Sequence, residues 1–90
     1  MAVVVKFAVS GMTAEKYDAV MRRLESAGAG APPGRLHHVC YGSRDNLQVI
    51  DVFDSKASLD GFGQILIPIL QEVDIKAEPD VQEVYNIVKG

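Results

Sequence analysis

Cysteine occurs once, at Cys40, histidine only as the adjacent pair His37 and His38, and tryptophan not at all. A single cysteine forms no internal disulfide. Cys-x-x-Cys, His-x-x-x-His and clustered carboxylates are also missing, and His37 and His38 point to opposite faces of any strand, so no metal site is expected. Basic residues are scattered: nine Lys and Arg against twelve Asp and Glu leave a net charge of −3. Nucleic-acid binding needs a basic stripe to neutralise phosphates, and its absence excludes nucleic acid as an expected partner. Long apolar runs are lacking too. The opening MAVVVKF has only Ala2 to Val5 before Lys6, which predicts neither a signal peptide nor a membrane span and points to the cytoplasm. Gly28, Gly30 and Gly34 lie in a proline-containing loop after a helix, the wrong context for binding pyrophosphate, and no nucleophile elbow is present.

What is there is apolar. In 90 residues, 48% are hydrophobic and 23% charged. That length makes one domain, residues 1–90, with more apolar surface than so small a core hides, so a homodimer is expected.

Period-two alternation predicts a strand over Ala2 to Val9, with Val3, Val5, Phe7 and Val9 on one face. Thr13 is placed to cap a helix whose stripe is Tyr17, Val20, Met21, Leu24 and Ala27, with Met12 and Tyr17 as a hydrophobic staple and Gly28 as the stop. After a loop from Ala27 to Gly34, Leu36 to Gly42 and Leu47 to Asp54 form a hairpin about the turn Ser43 to Asn46. Ser55 caps a second helix with its stripe on Leu59, Phe62, Leu66, Ile69, Leu70 and Val73, and Pro68 should kink or restart it near Leu66. A turn at Glu78-Pro79-Asp80 leads to a last strand over Val81 to Val88. The order β-α-β-β-α-β specifies an α+β, ferredoxin-like fold with a four-stranded antiparallel sheet and two helices on one face.

A three-residue turn would shift the register of the hairpin; a two-residue turn, with Ser43 opposite Asn46, fixes the pairing. Gly42 then lies opposite Leu47, Cys40 opposite Val49 and His38 opposite Asp51, close enough for the carboxylate to orient the imidazole. His38 thus becomes a candidate general base with Asp51 behind it. Because helices tolerate a buried carboxylate poorly, Ile50 and Val52 are assigned to the helix side. That assignment places Asp51, His38, Cys40 and Phe53 in the interior of a barrel closed by the second subunit. Cys40, Phe53 and Tyr85 are the expected ligand contacts.

The stretches VVVKFAVSGMTAEKYDAVMRRL, GRLHHVCYG and VIDVFDSKASLDGFGQILIPIL resemble the dimeric α+β barrel superfamily, in particular the small proteins related to antibiotic-biosynthesis monooxygenases. In the third stretch Asp51, Phe53 and Ser55 fill the family's pattern of an acidic residue, an aromatic and a capping residue. Two positions depart from it. Phe53 replaces the tryptophan of many relatives, and Phe62 stands where haem-degrading relatives carry a histidine, so haem is not expected and no cofactor is assigned. The resemblance implies a homodimer and cofactor-independent oxidation or rearrangement of a small aromatic or polyketide-like substrate. The alternative is a non-catalytic homodimeric barrel that binds a small apolar ligand or serves a structural role.

Overall fold

Strand β1, Val3–Ser10, buries Val3, Val5 and Val9 and turns Lys6 outward, following the alternation in its sequence. In the computed structural model, which describes all 90 residues, there follow α1 Ala14–Ser26, β2 Arg35–Ser43, β3 Asn46–Phe53, α2 Lys56–Glu72 and β4 Lys76–Glu83. The strands pair antiparallel in the order β2-β3-β1-β4. Val3, Val5, Val9 and Phe53 of the sheet join Val20 and Leu24 of α1 and Leu59, Phe62, Leu66, Ile69 and Leu70 of α2 in one core. The fold is the expected α+β, ferredoxin-like one.

Both helices start on the caps that the sequence marks, and α1 stops at its expected glycine. The Thr13 hydroxyl accepts the Lys16 N–H at 3.2 Å, and the Ser55 hydroxyl accepts the Ser58 N–H at 3.1 Å. At the end of α1, Gly28 adopts φ +77. Its N–H reaches the Glu25 carbonyl at 3.0 Å and the Ala29 N–H reaches that of Leu24 at 2.8 Å, a Schellman closure. No helix is long and apolar enough to cross a membrane.

Three expectations are corrected. First, α2 runs through Pro68 without restarting. Pro68 and Gln64, whose carbonyl loses its helical partner, both lie on the exposed side, while Leu66, Ile69 and Leu70 pack inward.

Second, β4 begins at Lys76, five residues earlier than Val81. Asp74, at φ 58, turns the chain directly after α2, and the Ile75 N–H closes on the Leu70 carbonyl at 2.9 Å. Lys76 therefore meets Ser10 at once, and Pro79 sits opposite Phe7 on an edge strand, the place in a sheet where proline is tolerated. Tyr85 and the residues after it fall beyond the strand.

Third, the two sides of β3 are exchanged. Val5 pairs with Asp51 and Val3 with Phe53, which puts Asp51 and Phe53 on the helix-covered face. Asp51 is only 2% exposed there. The argument against a buried carboxylate gives way because this one has a hydrogen-bonded partner, and no buried side-chain nitrogen or oxygen lacks one.

Candidate active site

The hairpin turns through Arg44 and Asp45, with Ser43 opposite Asn46, Gly42 opposite Leu47, Cys40 opposite Val49 and His38 opposite Asp51. Two backbone bonds tie it to the start of α1: the Ala14 N–H donates to the Arg44 carbonyl and the Leu47 N–H to the Met12 carbonyl, both at 2.8 Å. The start of α1 is thereby held against the hairpin. That contact brings Tyr17 to His38.

The resulting chain has three members. His38 Nδ1 lies 2.5 Å from Asp51 Oδ1, and His38 Nε2 lies 2.7 Å from the Tyr17 hydroxyl. A carboxylate only accepts hydrogen bonds, so Nδ1 carries the proton, and in the neutral imidazole Nε2 then presents its lone pair to the phenol O–H. The tyrosine and histidine rings lie nearly parallel, at 11°, with centroids 6.1 Å apart. His37 is exposed on the other side of β2, and no group of three His, Cys, Asp or Glu side chains converges.

The chain borders a cavity of about 40 Å³ between the sheet and the helices. Twelve of its 15 lining residues are hydrophobic, and the other three are Arg35, His38 and Asp51. The space suits a water or a dioxygen molecule, whereas pockets for drug-sized ligands run to about 300–1,000 Å³. A ring must therefore approach His38 from the cavity mouth or push lining side chains aside, and Met12 and Met21 are flexible enough to move.

The other expected contacts lie elsewhere. Cys40 is partly buried beside Tyr17 but does not line the cavity. Phe53 is fully buried, its ring centroid 5.7 Å from that of Phe62, and serves the core rather than the cavity. Tyr85 is fully exposed beyond β4 and does not reach the cavity, because the strand ends before it. Two lining residues go unmarked by the sequence pattern. Tyr17 reads there as a staple alone, although a hydroxyl on an apolar stripe is a polar group in need of a partner. Arg35 lies before the predicted start of β2, and nothing in its local pattern shows the irregularity that turns it inward.

Burial pushes the Tyr17 phenol above its usual 10.0, nearby Cys40 and Asp51 add to the rise, and Arg35 opposes it. Burial likewise raises the Cys40 thiol above 9.0, opposed by the Tyr17 hydroxyl. With a folded value above the unfolded one, Tyr17 contributes stability that is complete below about pH 10 and lost as pH rises through the folded value. Denaturant titrations above about pH 10 should therefore show wild type losing stability faster than Tyr17→Phe. Parallel alkaline slopes in the two proteins would show that the phenol is not held in this way.

No family model matches the chain, and no curated protein sequence does. Solved structures are similar throughout its length. SnoaB, a cofactor-independent oxygenase from Streptomyces nogalater, has a TM-score of 0.62 at 19% identity, with 99% of this chain and 96% of that one covered. A conserved protein from Methanosarcina mazei Go1 gives 0.62 at 18% identity, covering 92% of each chain. A protein from Chloroflexus aurantiacus described as of the antibiotic-biosynthesis monooxygenase type gives 0.62 at 16%, covering 98% and 95%. This chain shares its α+β, ferredoxin-like fold with these three proteins. At these identities the likeness shows the fold alone, and the chemistry is argued from the side chains that this chain carries.

Proposed function

We propose that this chain is a cofactor-independent oxygenase of the monooxygenase-like type, acting in the cytoplasm on a small aromatic or polyketide-like substrate. The observation that supports this reading is the Tyr17–His38–Asp51 chain at the wall of an apolar cavity. Asp51 holds the imidazole with Nε2 available, and the substrate displaces the Tyr17 hydroxyl to place an acidic C–H or O–H there. His38 removes that proton, and the anion reacts with dioxygen from solution. At an activated methylene group, the carbanion adds to dioxygen and is protonated, so that the carbon carries a hydroperoxide in place of one hydrogen. Loss of the remaining C–H proton with cleavage of the O–O bond then leaves a ketone, and the departing hydroxide takes up the proton as water. One dioxygen is consumed for each methylene oxidised, one oxygen atom going to the ketone and the other to water. The Tyr17 hydroxyl is in reach to donate a hydrogen bond to the developing oxyanion.

An oxygen electrode tests this with purified protein and a panel of phenolic substrates. Catalytic uptake is the expected result. Substrate binding without uptake would favour the non-catalytic ligand-binding barrel.

The functional unit is proposed to be a homodimer joined through the sheet face opposite the helices. Val39 is 52% exposed there, and Val4, Ile50 and Val52, also turned away from the helices, are only partly buried. Sedimentation should give twice the 9.7 kDa chain mass. Replacing Val39 by Lys should shift the protein toward monomer, and a wild type that stays monomeric at micromolar concentration would overturn the proposal.

A further inference from the structure

Arg35 breaks the alternation of its own strand. β2 pairs with β3 residue by residue from Ser43 back to His37, but then Arg35 stands opposite Phe53 while His37 stands opposite Val52. Leu36 is therefore an extra residue, a bulge. Without it Arg35 would share the outer face with His37, and with it Arg35 shares the inner face with His38.

The surrounding backbone holds this geometry. Gly34, at φ +82, approaches α2 so closely that a β-carbon would collide with the Ser58 side chain. Its carbonyl accepts the Asp54 N–H at 2.8 Å. Arg35 then lies with its guanidinium carbon 5.9 Å from the centroid of the Phe62 ring, and one nitrogen donates to the Gly30 carbonyl at 3.0 Å. No carboxylate forms an ion pair with it. Most of its five N–H donors have no protein partner.

Two spaces meet at this side chain. Inside is the apolar cavity; outside, along the β2 edge, runs a groove of about 250 Å³ lined by Ala31, Pro32, Arg35, Leu36, His37 and His38. Arg35 and His38 are the two residues common to both. We propose that Arg35 is the specificity-determining residue of the site, selecting aromatic substrates that carry a carboxylate. The carboxylate lies on the guanidinium in the groove, and the ring extends past it to His38. A planar guanidinium matches a carboxylate with two parallel hydrogen bonds, and the apolar wall behind it strengthens the attraction. The chain as a whole carries net charge −3, so a preference for an anion must arise from a local group. This assignment rests on the His38 site as the place where the substrate binds, but not on any turnover there.

The test compares 4-hydroxybenzoate with its neutral analogue 4-hydroxybenzamide, by NMR titration of wild type, Arg35→Gln, Arg35→Lys and His38→Asn. Wild type should favour the acid by roughly 10- to 100-fold, as expected for hydrogen bonds to a charged group. Arg35→Gln should remove that preference while leaving binding of the amide unchanged. Arg35→Lys should keep a reduced preference, since the charge remains and the fork is lost. His38→Asn should retain the preference, so a failed oxygen assay with these binding results would refute the oxygenase and spare the role of Arg35. Equal binding of acid and amide by wild type, no binding of either, or an unchanged preference in Arg35→Gln would overturn it.

Discussion

Replacement of His38 by Asn is expected to remove catalytic oxygen uptake while leaving the protein folded. A positioned general base contributes roughly 10²- to 10⁴-fold, and no other imidazole faces the cavity. Asn is chosen over Ala because of Asp51. That carboxylate is buried, and its Oδ1 rests on His38 Nδ1. Truncation to Ala removes both the base and the donor, and leaving a buried carboxylate without its hydrogen-bond donor costs more than the about 1–3 kcal/mol of a neutral group. An amide at position 38 keeps an N–H to offer Asp51 but has no basic nitrogen. The two variants thus separate chemistry from folding: His38→Ala should lose activity and stability together, and His38→Asn activity alone. Full uptake in a folded His38→Asn protein would remove His38 from the mechanism.

Asp51→Asn should be nearly as severe, through a different cause. Asp51 does not touch the substrate; it acts through His38 by fixing which nitrogen carries the proton. An amide in its place can donate to Nδ1, which moves the imidazole proton to Nε2 and leaves no base facing the phenol. Losing the correct tautomer costs up to roughly 10⁴-fold in Ser-His-Asp triads, and a loss of that order is expected here. The stability cost is smaller, about 1–3 kcal/mol, because a hydrogen-bonding group of similar shape remains. Asp51→Glu, which keeps an acceptor for the Nδ1 proton, should retain more activity than Asp51→Asn. A variant whose rate tracks only its loss of folded protein would show Asp51 to be purely structural.

How much of this is legible in the sequence differs from one residue to the next. The hairpin register is readable once the turn length is known: the sequence allows a two- or a three-residue turn, and with two residues the opposition of His38 and Asp51 follows from counting. Thr13, Ser55 and Gly28 are readable because caps depend on local chemistry. The face of β3 is not. Its alternation separates Asp51 from Ile50 but does not say which side the helices cover, and that is settled by pairing with β1 through Val3 and Val5. Tyr17 is half legible, as an apolar-stripe residue whose hydroxyl partner lies 21 positions away on another element. Arg35 is hidden altogether, since one extra residue reverses a strand's alternation and the sequence carries no mark of it. The start of β4 misleads because Pro79 looks like a turn residue until its strand is known to lie at the sheet edge.

The roles of Tyr17, His38 and Asp51 all depend on the proton of His38 sitting on Nδ1, leaving Nε2 as the base. The chain has two histidines, so long-range ¹H–¹⁵N NMR correlations of the imidazoles resolve the matter without crowding. At a pH where His38 is neutral, its Nδ1 should show the shift of a protonated nitrogen and its Nε2 that of a bare one, with the two exchanged in Asp51→Asn. A wild-type His38 protonated on Nε2, or one whose tautomer ignores the change at Asp51, would contradict this mechanism.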